Sequence, residues 1–381
     1  MTRRARDRTA PASMRIVPEL RAVHIERHRL GTPAELLYLD TNYDLAGTAL
    51  ADGIRRVSLV GALRRFATTP ATTLEVPEPL WMRFWPKHFA LVVGFKSAGA
   101  LRGRQHRVVT YAMENNTLAA LVGGRHSAPA WIVRIVATLI GITARASIDR
   151  ICFASATARD TYAQLPFVSA IEHTIIPELP RATPTPTLPT PCTCVFVGAM
   201  EDRKGVHELM DAWPAVETMV PDARLIMVGP GPLHTEATAW AASSPESRHV
   251  AGRLPHSETT TLLQTGSVLV APSKPDGRWK EQIGLPIKEA LAAGLTVITT
   301  DQTGLAPWLT EHGHTVLPLA QDTFRDHLAT AIADALRAPL DRDQVRAALP
   351  VRDGRLSADI WLHTSQEHPY PTPTHSAGAV A

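Results

Sequence analysis

In the second half of the chain, short apolar runs alternate with helical apolar periods more regularly than in the first half. Cys192–Gly198 is an unbroken apolar run of strand length. Val206–Met219 carries a helical period, with Pro214 as a place for a kink. Arg224–Gly229 reads as the next strand and ends in Gly-Pro-Gly-Pro; a helix at His234–Ala242 and a short strand near His249–Ala251 follow. A helix near Ser257–Gln264, a buried strand at Ser267–Ala271, a helix at Pro286–Ala293 and a strand at Thr296–Asp301 complete the series. Such alternation predicts parallel strands with helices on both faces. Ligands then bind beyond the carboxyl ends of the strands, so the turns at Gly198, Gly229–Gly231 and Ser273 line one rim.

The first half gives a similar but fainter pattern. Leu36–Asp40 is read as its first strand and Leu45–Arg56 as a helix, with Gly47 near the junction. Phe89–Gly94, Val108–Ala112 and Arg150–Ala154 are further strand candidates, and helices are expected at Thr117–Val122 and Thr157–Leu165. Trp131–Ile142 is apolar but too short to span a bilayer and is interrupted by Arg134, so a buried or interfacial helix is expected. Glu178–Pro191 holds five prolines in fourteen residues, which marks a stiff linker between two packed units. The expected organisation is a basic mobile arm at 1–30, a Rossmann-like domain at 31–178, a linker at 179–191 and a second Rossmann-like domain at 192–340. A weak helix near Ser357–His368 and a mobile tail occupy 341–381.

Composition adds an asymmetry. At 381 residues with 45% apolar content, the chain can bury two cores. Residues 1–190 carry 24 Lys and Arg against 14 Asp and Glu, a net +10, whereas residues 191–381 carry 15 against 22, a net −7. A basic first half suits an anionic partner, either a phosphorylated substrate or a membrane surface. Nucleic acid fits poorly, because no binding motif accompanies the charge. The arm opens with Arg3, Arg4, Arg6 and Arg8 and has no apolar run of a secretory signal. Cys152, Cys192 and Cys194 form neither a disulfide framework nor a zinc spacing, so reduced core cysteines of a cytoplasmic protein are expected. The sixteen histidines show no ligand cluster; His312-Gly-His314 is a lone pair in a loop.

The densest chemistry lies between Glu281 and Glu289. Glu281 precedes a Gly-Leu-Pro turn, and Glu289 is placed in the first turn of the helix that this turn opens. Pro286 suits an early helix position, and Gly294 suits the end. The helix N-terminus offers N–H groups and partial positive charge to a phosphate, with a carboxylate on either side to accept hydroxyl hydrogen bonds. That arrangement suits a sugar–diphosphate–nucleoside.

Taken in order, Phe-Val-Gly ending at Gly198, Lys204-Gly205, Leu-Ile-Met-Val-Gly-Pro-Gly-Pro, Gly252, Val-Leu-Val-Ala-Pro-Ser and the Glu281–Glu289 segment resemble the retaining GT-B glycosyltransferases of family 4, also called glycosyl transferases group 1. The resemblance covers about residues 192–318. It implies two Rossmann-like domains facing across a cleft and a nucleotide-sugar donor on the second, with no essential metal or other cofactor. It also implies that Lys204 contacts the donor diphosphate and that backbone N–H groups of Ile283, Gly284 and Leu285 cradle phosphate. Glu289 would hold the ribose and Glu281 the donor sugar near the reacting carbon, with Gly231 and Arg253 completing the donor site. The family's arginine after the first glycine is replaced here by Ala199, for which Arg203, Arg253, Arg278 and Lys280 are candidate substitutes, Arg203 first.

The first half resembles the family only loosely, and the family's strand-end histidine is absent. Glu114, Asn115 and Asn116 at that strand end are read either as lining the acceptor cleft or as a polar loop cap, and Lys96 is a further cleft candidate. Trp81–Lys87 mixes large apolar and basic residues, so it either docks on an anionic bilayer at the inner membrane face or packs inward. The expected activity is transfer of a sugar from a nucleotide-sugar donor to the hydroxyl of a glycan, lipid-linked or small-molecule acceptor. The same resemblance also accommodates a nucleotide-sugar epimerase and a non-catalytic nucleotide-sugar-binding partner.

Overall fold

The computed structural model describes residues 12–364, apart from 42–44, 46–49, 125, 127, 185–188 and 321–322. The four arginines that open the basic arm, Gly47, and the tail beyond residue 364 therefore lie outside the described residues.

The first sheet is formed by β1 (Ser13–Leu20), β2 (Glu35–Thr41), β3 (Ile54–Arg56), β4 (Thr73–Val76), β5 (Arg107–Ala112), β6 (Arg150–Phe153) and β7 (Glu172–Ile175). All are parallel, in the order β3-β2-β1-β4-β5-β6-β7. Helices α1 (Ala22–Leu30), α2 (Leu59–Thr68), α3 (Trp85–Ala100), α4 (Leu118–Gly123), α5 (Ala130–Ser147) and α6 (Ala156–Ala163) connect them. The second sheet joins β8 (Thr193–Val197), β9 (Arg224–Val228), β10 (Arg248–Gly252), β11 (Val268–Ala271), β12 (Thr296–Thr300) and β13 (Thr315–Leu317), again all parallel. Its order is β10-β9-β8-β11-β12-β13. Its helices are α7 (Val206–Met219), α8 (His234–Ala241), α9 (His256–Thr265), α10 (Leu285–Ala293), α11 (Ala306–Glu311) and α12 (Phe324–Arg337); α13 (Arg342–Ala347) and α14 (Gly354–His363) end the described chain. Strand order reverses between β1 and β4 and again between β8 and β11, and in such sheets a crevice opens at these points.

Several expectations for the first half are corrected. The arm assigned to 1–30 is folded from Ser13 onward: β1 is an interior strand with Met14, Ile16 and Leu20 buried, and α1 follows it. Arg15 and Glu19 hid the strand by breaking its apolar run. Arg15 is nonetheless buried, because Glu75 and Asp359 neutralise it from distant parts of the chain. The expected helix Leu45–Arg56 ends instead in β3, and residues 46–49 of it fall outside the described residues. Phe89–Gly94 is not a strand but the middle of α3, whose apolar residues continue well beyond strand length.

The linker is not free-standing. Leu179 is buried, the Thr183 N–H donates to the Ala292 carbonyl at 2.9 Å, and that of Thr190 donates to Thr265 at 2.8 Å. Pro214 lies inside α7, which runs unbroken. The weak C-terminal helix proves to be α14, which packs back against β5 and β6 of the first sheet and buries Ala358 and Leu362.

Candidate functional site

The two loops that leave the β8–β11 switch point carry Lys204 and Glu281, and they are built to touch. Gly205 has φ +72°, and a Cβ there would lie 2.1 Å from the Pro272 carbonyl oxygen, so only glycine lets the β8 loop lie against the β11 loop. The Lys274 N–H donates to the Arg203 carbonyl at 2.8 Å, which fastens the same two loops. The Lys204 ammonium is thereby brought onto the Glu281 carboxylate. Ser273 Oγ donates to the same carboxylate oxygen at 3.1 Å. Both ionised side chains are largely buried, at 17% and 15% exposure, and at that burial a pair is far stronger than on a surface.

Trp279 underlies this pair. The Lys204 ammonium sits 4.7 Å and the Arg203 guanidinium 4.2 Å from its ring centre, so two cations share one aromatic ring. Arg203 also donates to Glu201 at 2.6 Å. Of the candidate substitutes for an arginine at Ala199, Arg203 is the one beside Lys204. Arg278 is spent on the carbonyls of Leu121 and Val122, Lys280 donates to the Asn115 carbonyl at 3.3 Å, and Arg253 stands exposed after β10. Sequence reasoning placed Ser273 on the rim without giving it this partner, and it missed Trp279. The signal available for Trp279 was its place between Lys274 and Glu281, in the loop after a buried strand.

Helix α10 begins beside Glu281. Gly284 caps it with φ +84°, Pro286 follows in its first turn, and Leu285 is 56% exposed. Ile283 is buried, and Thr303 Oγ1 donates to its carbonyl at 2.9 Å, while the Gly304 N–H donates to Gln282 at 2.8 Å. Glu289 sits one turn further along than expected, in the second turn. It faces His256 across 3.8 Å, and burial pushes its carboxyl up from the ordinary range. Gly231 has a packing role: a Cβ there would lie 2.4 Å from the Met200 carbonyl oxygen.

The first domain reaches this loop through Glu114, Asn115 and Asn116, all buried at the carboxyl end of β5. Asn115 Nδ2 donates to the Glu281 carbonyl at 3.0 Å and to that of Gln302 at 3.2 Å. Asn116 Nδ2 donates to the Arg278 carbonyl at 3.2 Å, and Gln282 Nε2 donates to Glu114 at 3.2 Å. These residues are therefore neither a free cleft lining nor a simple loop cap: they join the two domains at the Glu281 loop. Behind them Glu78 accepts from the N–H groups of Met113 and Glu114 and from the Tyr162 hydroxyl. Burial and the adjacent Glu114 push Glu78 up to about 8, and burial also raises Glu114. Lys96 is corrected. It lies in α3 and pairs with Asp149 at 3.0 Å, at the amino end of β6 and so at the opposite edge of the sheet.

Glu75, Asp359 and His363 bring potential metal-ligating atoms within 4.8 Å of one another, a grouping invisible in the sequence. Both carboxylates are engaged by arginine. Arg15 binds Glu75 at 3.1 Å and also Asp359, and Arg355 binds Glu75. Burial opposes the charge on Glu75, but Arg355, the hydrogen bond from His363, and Arg15 hold its carboxyl well below the usual range. Two cations on the ligand atoms make this an ion network that ties α14 to the first sheet.

Two doubly wound parallel sheets in one chain are the architecture of the GT-B class of α/β proteins. Solved structures agree. The glycosyltransferase WaaG, involved in lipopolysaccharide biosynthesis, aligns with TM-score 0.58 and 14% identity over 92% of this chain and 99% of its own. Anabaena HepE, solved with UDP and glucose, aligns with TM-score 0.59 and 12% identity over 92% of this chain and 95% of its own. Residues 191–338 match the family Glycosyl transferases group 1. A phosphatidyl-myo-inositol mannosyltransferase of Mycobacterium tuberculosis is 31% identical over 160 residues, 40% of this chain and 39% of that protein. The D-rhamnosyltransferase WbpZ of Pseudomonas aeruginosa is 31% identical over 130 residues, 33% of this chain and 32% of its own. The matched stretch thus spans about two fifths or less of these curated relatives.

Proposed function

We propose that this chain is a retaining glycosyltransferase that moves a sugar from a nucleotide-sugar donor to an acceptor hydroxyl. The observation that carries the reading is the Lys204–Glu281 contact at the β8–β11 switch point, beside the N-terminus of α10. A donor diphosphate placed over that terminus meets the positive end of the helix dipole and Lys204. In this reading Glu281 faces the sugar and Glu289 the ribose. The acceptor oxygen bonds to the anomeric carbon on the face from which the carbon–phosphate oxygen bond breaks, and the leaving phosphate oxygen takes the acceptor's proton. The helix dipole, Lys204 and Arg203 then bear the leaving charge, so no metal or other cofactor is needed in this scheme. The HepE structures with UDP and UDP-glucose favour a nucleotide-sugar donor.

The same proposal places the work at the cytoplasmic surface of an anionic membrane. Helix α5 is long and apolar enough to cross a bilayer, yet it packs on the first domain through Ala137, Ile140, Gly141 and Ala144. Its opposite side leaves Trp131, Ile135, Leu139 and Ile142 half exposed or more, and Phe89 and Val93 of the adjoining α3 add to this face. Arg134, Arg145 and Lys87 are exposed beside it. An apolar stripe rimmed by cations suits an interface of lipid headgroups. The mycobacterial relative is a phosphatidyl-myo-inositol mannosyltransferase, which agrees with a lipid-borne acceptor.

Incubating the full chain with radiolabelled nucleotide sugars and extracted lipids should transfer label, and Lys204→Ala or Glu281→Ala should cut turnover by at least a hundredfold in folded protein. Full turnover in both variants refutes these roles, and conversion of donor without acceptor points to an epimerase. Vesicles of acidic phospholipid should bind the chain at low salt and release it as salt rises. Unaltered binding by an Ile135→Ser/Leu139→Ser variant would remove the docking face.

A further inference from the structure

Between α1, α14 and the first sheet lies a cavity of about 140 Å³. Its walls include the apolar side chains of Ile16, Pro77, Tyr111 and Leu356, and Trp81, 40% exposed, carries the lining out to the surface. Three guanidinium groups, those of Arg15, Arg27 and Arg355, also line it, against the carboxylates of Glu75 and Asp359. The third lining carboxyl, Glu78, keeps its proton to about pH 8 through burial and the neighbouring Glu114. His24 is held neutral, lowered to about 4 by burial and by Arg27 and Arg355. Behind the wall, buried Glu178 accepts from Arg27 at 2.6 Å and from Lys288 at 3.2 Å, and Lys288 also pairs with Asp353 at the partly exposed cap of α14. Counting Glu178, the charges around the void balance, and what the wall offers an anion is guanidinium N–H donors rather than net charge.

Arg15 Nη1, His28 Nδ1, His363 Nδ1 and Glu178 Oε2 are buried in or beside the wall without a hydrogen-bond partner, and Arg15 supplies the guanidinium donor among them. Nε and Nη2 of the same guanidinium are engaged. Leaving a buried charged donor unpaired costs stability, and an oxyanion in the adjoining space would remove that cost through a charge-assisted bond. The cavity also adjoins the reacting loop. Glu78 lines it and accepts from the N–H groups of Met113 and Glu114, and Glu114 accepts from Gln282, the neighbour of Glu281.

We propose that this cavity receives the anionic group of the acceptor, a phosphate or carboxylate borne on an apolar body, with Arg15 and Arg27 as its donors. The word acceptor rests on the transferase reading, whereas anion binding by the cavity does not. Calorimetric titration of the full chain with phenyl phosphate and with benzoate separates the two anions. Saturating UDP or GDP is included to occupy phosphate sites on the second domain. At least one probe should bind. Arg27→Gln should weaken it at least tenfold, and Leu356→Trp, which fills the space without removing a charge, should abolish it with nucleotide binding unchanged. No binding by either probe, or binding unaltered in both variants, overturns the proposal. Failure of every nucleotide to bind the wild-type chain instead defeats the transferase reading, and the Leu356→Trp comparison still decides the cavity.

Discussion

Replacing Asn115 with alanine tests whether the first domain sets the position of the Glu281 loop. Asn115 is 5% exposed, and its Nδ2 makes two hydrogen bonds that cross between domains, to the carbonyls of Glu281 at 3.0 Å and Gln302 at 3.2 Å. Each bond contributes roughly 1 kcal/mol net, and partners left buried and unpaired add to the loss, giving about 2–3 kcal/mol. The cost falls on the contact between domains, because neither Asn115 bond lies inside a hydrophobic core. If that contact orders the loop for reaction, kcat/KM falls by roughly 30- to 150-fold, at about 1.4 kcal/mol per decade. The melting temperature should move little. Steady-state kinetics with a labelled donor, alongside thermal melting, read both quantities. Asn115→Asp keeps the volume but turns a carboxylate toward two carbonyl oxygens, so it should be worse than alanine. A kcat/KM within threefold of wild type in either variant would refute the reasoning.

Two further outcomes follow from the same geometry. Gly205→Ala must hold a left-handed backbone, which costs about 1–2 kcal/mol, and must also clear the Pro272 carbonyl. It should lower the denaturation midpoint and reduce activity through displaced Lys204, and unchanged values in both assays would contradict the close loop contact. Glu78 binds its proton more tightly folded than unfolded, so its contribution to stability is fully present below the ordinary glutamate range and is lost as pH rises through about 8. Glu78→Gln should flatten that decline in denaturant titrations between pH 5 and pH 9, and an unchanged pH slope would show that Glu78 is ionised throughout.

The second domain was legible in sequence because its strands are buried on both faces. Such strands must be continuous apolar runs, and Cys194, Val195, Val268 and Leu269 are all fully buried. Glycines at 205, 284 and 294 mark turns that left-handed backbone or close approach requires. Lys204 and Glu281 were likewise nameable in advance from their motifs, each in the loop after a recognisable strand.

Other features depended on residues far apart in the chain. Phe89–Gly94 is apolar enough for a strand or a helix, and the choice was made by packing, which buries Leu91, Val92 and Phe95 on one side and leaves Phe89 and Val93 outside. Arg15 looks like a surface residue until Glu75 and Asp359 arrive from 60 and 344 residues away. Asn115 carries no signal for contact with Glu281, 166 residues later. Local pattern determined most strands of the second domain and the glycine turns, because backbone sterics and burial act within a few positions. The tertiary structure alone decided β1, the α5 face, the charged cavity and the interdomain bonds to the Glu281 loop, because charge pairing and hydrogen bonding depend on distance in space, not along the chain.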